Sequence, residues 1–467
     1  MAPVNYNIMT PSGGFIPASL RNVVLPRVSQ YLWKKVVSLA RSTVCAALEQ
    51  GITKGRVTIA ERAGSYTFGD TDPIVPSRHG YLHVHDETFW VRVYVWYDIG
   101  FSEAFLNGEF TSPDLKMVLN IYVDNHLTLD ALSTIVYAFN SAVEAVTQRF
   151  SHDVLKSVEN VAGYDASNEL YRAFLSSEMQ YSCPLWGEAE GGVRGDLEGH
   201  RRPGDLENAQ RRKIETILRK ARLRSGDRLL EIGSGWGSVA IAAAQMGCTV
   251  DTITLSVEQH TLAIERVNEA GVSERVRVHL MDYRSLPPHF HKAFDACISI
   301  EMLEAVGVEW MQTYIRTIDW ALKDDRAVVV LSATTYPEGT HRSIQGNDFV
   351  RKYHWPNCTL PSATSLANAF QDTLHGQFSL EAIEDIGCHY PRCLREWRRR
   401  LDENWSETLL HSLQNRYPAL KDEKMLSVFR RRWEYMYVYM EVAYSRVWLS
   451  LPIWTFVRPG RASLNCA

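Results

Sequence analysis

Seven residues, Glu231-Ile232-Gly233-Ser234-Gly235-Trp236-Gly237, close an apolar run through Leu229 and Leu230 and lead directly into a second one, Val239 to Met246. Glycines between a strand and a helix let the backbone turn sharply. They also bring its N–H groups, with the helix N-terminus, against a ligand at the carboxyl edge of a sheet. The spacing is ExGxGxG rather than the GxGxxG of the dinucleotide fingerprint, so the loop reads as a nucleotide-type cofactor site of another kind. A second strand ends at Thr254, where a nucleotide enzyme usually offers a ribose-binding acid. Here Thr254 and Gln259 are the polar candidates, because Glu258 reads equally well as a helix-start carboxylate favoured by the macrodipole. A third strand ends in Met281-Asp282-Tyr283, which puts an acceptor and an aromatic ring where an adenine would lie.

These groups need a frame that fixes them. From about Asp227 the chain alternates strand and helix: DRLLEI, VAIAAAQMG, CTVDTIT, a helix, RVRVHLM, FDACISI, another helix and RAVVVLS. Such alternation predicts an α/β fold, a mostly parallel Rossmann-like sheet covered on both faces. Ahead of it lies a smaller α+β domain over 25–150, after a tail over 1–24. Leu32, Val36, Leu39, Ala40 and Val44 recur at helical spacing, with Gly51 as a stop. The runs RVTIAE, SYTFG, YLHVHD and FWVRVYV read as a small meandering sheet, and helical patterns follow from Pro113 to about Phe150. The larger domain is expected over 160–460. Within it Gly187 to Asp205, Gly-rich and mixed in charge, reads as a mobile loop, and WLSLPIWTFV, interrupted by Pro452, reads as the last strand.

The 467 residues exceed the usual single-domain length, and 45% hydrophobic with 22% charged residues is an ordinary globular composition. A formal net charge of -4 offers no general attraction for nucleic acid. The eight cysteines (45, 183, 248, 297, 358, 388, 393 and 466) show no CxxC pair, which favours reduced thiols, a cytoplasmic setting and no metal site. No basic start with an apolar core precedes the fold, and nowhere do eighteen apolar residues run together, as a spanning helix needs roughly that many.

Beyond the loop, the chain resembles the cyclopropane-fatty-acid synthase family of S-adenosylmethionine-dependent methyltransferases from roughly Gly51 to Gly460. The resemblance rests on YDASNELYRAFL (164–175), MQYSCPLW (179–186), LENAQRRKIETI (206–217), LLEIGSGWG, TLSVEQ, MDYRSLP, SIEMLEAVG (299–307), FVRKYHWPNCTLPS (349–362) and EDIGCHYPRCLREW (384–397), with FGD (68–70) and DIGFSEAFLNGEF (98–110) in the first domain. It implies that an alkene in an unsaturated fatty acyl or phospholipid chain attacks the sulfonium methyl. Loss of a proton then gives a cyclopropane or a methyl-branched or methylenated product. Such chemistry asks for a dry aligned slot, groups that tolerate positive charge, and a base near the new methyl.

By resemblance, Cys183, Glu304 and Tyr390 occupy the positions that hold a bicarbonate base. Tyr181 and Ser182, the loop residues Glu231, Gly233, Ser234, Gly235, Trp236 and Gly237, and Thr254, Gln259, Asp282 and Tyr283 occupy the cofactor contacts. Ser332 stands where bacterial members carry a bicarbonate-binding His, Ala305 follows the glutamate in place of the usual His, and Met440 replaces a cysteine often designated catalytic. Ser332 can hydrogen-bond an anion but cannot act as a base near neutral pH. Two other readings stay open: a tailoring olefin methyltransferase acting on a free fatty acid or polyketide-like metabolite, and a lipid-binding homologue without turnover. The aromatic stretch 429–448 reads either as a core-facing helix or as the lining of an acyl tunnel. Basic REWRRRL (395–401) reads as its solvated edge or as a contact for lipid phosphates. Peripheral membrane contact and a homodimer are both compatible with the sequence.

Overall fold

The computed structural model describes residues 26–70, 78–131, 167–342, 345–356 and 358–459. The expected tail, the helical pattern beyond 131 and the start of the 164–175 motif lie outside them. The chain forms two compact units. One gathers the described residues of Met1–Ser151 with Gly346–His354 and Leu410–Val442, and the other holds the rest.

In the first unit, a helix over Pro26–Gly51 precedes β1 (Arg56–Glu61), β2 (Gly64–Gly69), β3 (His79–Val84) and the short β4 (Phe110–Thr111), which lie in the order β2-β1-β3-β4. β1 pairs antiparallel with β2 but parallel with β3, so this sheet is not the expected meander. The run FWVRVYV is not a strand either. It opens the helix Thr88–Leu106, and just ahead of it Asp86 accepts hydrogen bonds from the Thr88 N–H (2.9 Å) and hydroxyl (2.7 Å) in a turn that leads the chain into that helix. On the first helix the buried stripe is Val37, Ala40 and Val44, whereas Leu32, Val36 and Leu39 are exposed. Two apolar stripes satisfy the helical period there, and one of them is covered.

The two later segments complete this unit chemically. Glu103, buried on the second helix, accepts from Lys352 Nζ (2.7 Å) and Tyr353 Oη (2.8 Å), and Lys116 pairs with Glu441. The aromatic stretch lies in the helix Glu423–Ser445, where Trp433, Tyr435, Met436 and Tyr437 are buried. Within the unit, Tyr435 packs on Phe349 with ring centroids 4.5 Å apart, which is core packing.

The second unit is built on seven strands: β5 (Arg228–Ile232), β6 (Thr249–Thr254), β7 (Val276–Leu280), β8 (Ala296–Ile300), β9 (Val328–Ser332), β10 (Ser379–Asp385) and β11 (Pro452–Val457), in the order β10-β11-β9-β8-β5-β6-β7. β5 to β9 pair in parallel, and β11 is antiparallel to both its neighbours. All five residues of β9 are buried, as a central strand covered on both faces requires. Chain order reverses between β5, which leads outward to β6, and β8 on its other side. That switch point opens a crevice at the strands' carboxyl ends.

Gly187 to Asp205 is tied down rather than loose. Asp196, its side chain fully enclosed, receives Arg395 at 2.7 Å and also Arg399. Arg201 bonds Glu396 at 2.8 Å, and Arg392 reaches Asp205 (2.9 Å) and the Glu190 carbonyl (2.6 Å). Arg392, Arg395, Arg399 and Arg400 are therefore engaged in ion pairs within the unit. No helix among the described residues is long and apolar enough to cross a membrane. The described cysteines are free of disulfides, and no metal-ligating cluster occurs among the described residues.

Candidate active site

The glycine loop leaves β5 at the switch point with Gly233, Gly235 and Gly237 at φ +96°, +49° and +86°. The N–H groups of Gly233 and Ser234 both donate to the Ile253 carbonyl at 3.0 Å, which pins the turn to β6. The helix Ser238–Gln245 then begins. Trp236 turns its indole N–H onto Asn168 (2.9 Å), and its ring lies 4.8 Å from Tyr171, so its side chain braces the loop. Glu231 accepts the Thr252 hydroxyl at 2.6 Å, and burial pushes its carboxyl up to about 8.

Across the crevice, the Thr254 hydroxyl donates to Gln259 at 2.8 Å, while Ser256 caps that residue's helix. Asp282 caps the turn that carries Tyr283, and the Tyr283 ring stands edge-on to Tyr314 at 5.1 Å. Tyr181, Ser182, Glu231, Gly233, Ser234, Gly235, Trp236, Thr254, Gln259, Asp282 and Tyr283 all line one cleft. The structure thus brings the expected cofactor positions together around the turn, with Gly237 just behind it.

Lys213 was not singled out by sequence. It is buried and donates to Ser182 Oγ (2.7 Å) and to Gln180, and burial pushes its ammonium down to about 8. Beside it Gln210 donates to the Ser182 carbonyl at 2.8 Å. The signal was available: Leu206, Gln210, Lys213 and Ile217 form one apolar-spaced helical stripe that happens to contain a cation.

Where β8 ends, the second missed residue appears. Glu301 lines the cleft, accepting the Cys183 N–H on Oε1 at 2.8 Å and the Tyr390 hydroxyl on Oε2 at 2.6 Å. Its own N–H donates to the Ser332 carbonyl at 2.8 Å, and its φ is +48°. Burial holds the carboxyl above its ordinary range, and the Tyr390 phenol and Cys183 thiol are raised the same way, so both stay protonated. Tyr390 also stacks on Tyr444, with centroids 4.4 Å apart and planes at 14°. Glu304 accepts the Thr334 N–H at 2.6 Å on Oε1, while Oε2 is buried without a hydrogen-bond partner.

This donor set does not fit bicarbonate. The Cys183 N–H and the Tyr390 hydroxyl are committed to Glu301, and the Cys183 thiol faces only the Pro184 and Ile386 carbonyls, at 3.5 and 3.7 Å. The Glu301 carboxylate would also oppose a further anion.

Burial, and secondly Glu301, push the Glu304 carboxyl up to about 7. Between pH 4.5 and 7 the unfolded chain releases this proton while the folded chain keeps it, so the stability present at low pH is lost as pH rises through the folded value. Urea unfolding of the wild type should therefore weaken relative to Glu304→Gln across that window, by at most about 3 kcal/mol in all. Parallel pH profiles for the two proteins would refute this assignment.

A seven-stranded sheet with a glycine turn at its switch point, the Thr254–Gln259 pair at the end of the second strand and an aromatic at the third defines a class I S-adenosylmethionine-dependent methyltransferase. Comparison with known proteins takes this further. Residues 152–432 match the family described as mycolic acid cyclopropane synthetase, and the chain belongs to that family. It is 30% identical over 451 residues to tuberculostearic acid methyltransferase UfaA1 of Mycobacterium tuberculosis, covering 92% of this chain and 96% of that protein. It is 28% identical to cyclopropane-fatty-acyl-phospholipid synthase of Escherichia coli over 70% of this chain and 78% of that one. Among solved structures, the cyclopropane synthase MmaA2 of Mycobacterium tuberculosis shares the fold, with a TM-score of 0.51 and 22% identity over 64% of this chain and 98% of that one.

Proposed function

We propose that this enzyme transfers the S-adenosylmethionine methyl group to a carbon of the double bond in an unsaturated fatty acyl chain, giving a cyclopropane or a methyl-branched product. The observation that carries the reading is the cluster at the end of β8, where a carboxylate flanked by Cys183, Tyr390 and Glu304 opens on the cofactor cleft. Methylation of an alkene creates a cation and then requires a base. The Glu301 carboxylate offers a proton acceptor at the cleft, and the stacked Tyr390 and Tyr444 rings form an aromatic wall behind it. Methyl transfer to a nitrogen or oxygen already bearing a lone pair would not need this combination so close to the donor. In this reading Cys183, Tyr390, Glu304 and Ser332 stand behind Glu301 rather than in the lining of the cleft, on the side toward which the proton leaves. Similarity over 92% of the chain to a protein named for tuberculostearic acid supports a fatty acyl acceptor.

The test is incubation with methyl-labelled cofactor and, separately, oleoyl phospholipid vesicles or free oleic acid, followed by mass analysis. Gain of the labelled carbon on phospholipid assigns a membrane-borne acceptor, and gain on the free acid assigns a soluble one. Label in neither would sink the proposal.

A further inference from the structure

We propose that Glu301 is the general base of the reaction: its own carboxylate, rather than a bound anion, takes the proton that leaves after methyl transfer. The inference rests on the alkene-methylation reading above and deepens it.

Three features set Glu301 apart. It is the member of the cluster that lines the cleft, whereas Glu304 buries Oε2 and holds the Thr334 N–H with Oε1. Its two oxygens are each fixed by one donor, Cys183 N–H and Tyr390 Oη, and a carboxylate with about four lone-pair sites keeps capacity on both for an incoming proton. Its backbone sits at φ +48°, a conformation that is strained for a residue other than glycine and persists where the surroundings impose it. The donors hold the carboxylate in place, and the Ser332 carbonyl holds its N–H. The other titratable groups nearby are occupied: Lys213 donates to Gln180 and Ser182, and His389 Nδ1 accepts the Trp186 N–H at 2.9 Å. Desolvation raises the basicity of Glu301, and its closeness to Glu304 couples the two acids.

The step balances without a further reagent. The alkene π pair forms the new bond to the methyl carbon, and the S–CH3 pair returns to sulfur, which leaves as a neutral thioether. Glu301 then accepts a proton. From the new methyl, the released C–H pair closes a cyclopropane on the cationic carbon, and from an adjacent carbon it forms an alkene.

Glu301→Gln keeps the shape and removes the base. Glu301→Gly suits the positive φ, keeps the fold, and leaves the Cys183 and Tyr390 donors facing open space. With the lipid that wild type converts, turnover in carbonate-free buffer should equal that in bicarbonate, and Glu301→Gln should slow it by about 100-fold or more at unchanged cofactor affinity. Where the product is a cyclopropane, a methyl-deuterated cofactor should show a larger isotope effect in this variant, because removal of the methyl proton becomes limiting. Glu301→Gly should be equally slow and should recover when formate or bicarbonate is added. Wild-type turnover that depends on bicarbonate, or Glu301→Gln activity within threefold of wild type, overturns the proposal. Failure of the underlying reading looks different: wild type itself then labels no lipid.

Discussion

Gly233→Val should abolish methyl transfer by removing cofactor binding while leaving a folded protein. Gly233 holds φ +96°, outside the region that even Asn adopts readily, and a β-branched side chain there is strained. A Cβ would also meet the Met302 side chain at 3.2 Å, and the loop would have to give up the two N–H bonds to Ile253 or push into the cleft. A strain of roughly 1–3 kcal/mol, placed on the backbone that faces the ligand, corresponds to about 10- to 100-fold in affinity before the crowding is added. Titration calorimetry with S-adenosylhomocysteine is therefore expected to show at least about 100-fold weaker binding. Gly226→Ala is the control, since Gly226 has φ +90° with nothing near a built Cβ and lies away from the cleft. It should cost some stability and leave affinity unchanged. Equal loss of affinity in both variants would mean that the loop acts only through overall stability.

Asp196→Ala should be the most destabilising single change in the Gly187 to Asp205 segment. Burial alone would raise this carboxyl, but the bonds from Arg395 and Arg399 outweigh it and hold the group below its ordinary range. Removing one partner of a buried pair costs about 3–5 kcal/mol. The lower figure applies, because Arg399 keeps Glu396 and Arg392 keeps Asp205. At 2–4 °C per kcal/mol for a domain of this size, Tm should fall by about 10 °C. A shift under about 2 °C in a thermal scan would place these contacts among weak surface pairs.

The second unit was the more legible. β5 to β9 are short apolar runs separated by amphipathic helices, and the loop that binds between them follows from strand, glycine and helix in succession. Glu301 shows where such reading stops. SIEMLEAVG offers two acids three residues apart, and which one faces the cleft depends on β8 ending at Ile300, a boundary that periodicity leaves loose by a few residues. The ion pairs around Asp196 join residues 199 positions apart, so local composition showed only glycines and mixed charge. FWVRVYV alternates as a strand does, yet it opens a helix behind the turn in which Asp86 accepts the Thr88 N–H. On the first helix, two apolar stripes with the same period left the covered face undetermined.

The make-up of the first unit has a consequence for how the protein is made. Glu103 finds Lys352 and Tyr353 only after some 250 further residues have been synthesised, and Lys116 meets Glu441 later still. A ribosome adding about 5–20 residues per second therefore releases the early segment well before its partners exist. During that interval a carboxylate destined for burial stays hydrated, and the apolar surface meant for the Leu410–Val442 segment stays uncovered. Genetic truncation after residue 151 would freeze that interval, yielding a fragment prone to aggregate. Co-expression of the remaining chain in trans, rather than a tighter early domain, is the route by which it could be rescued.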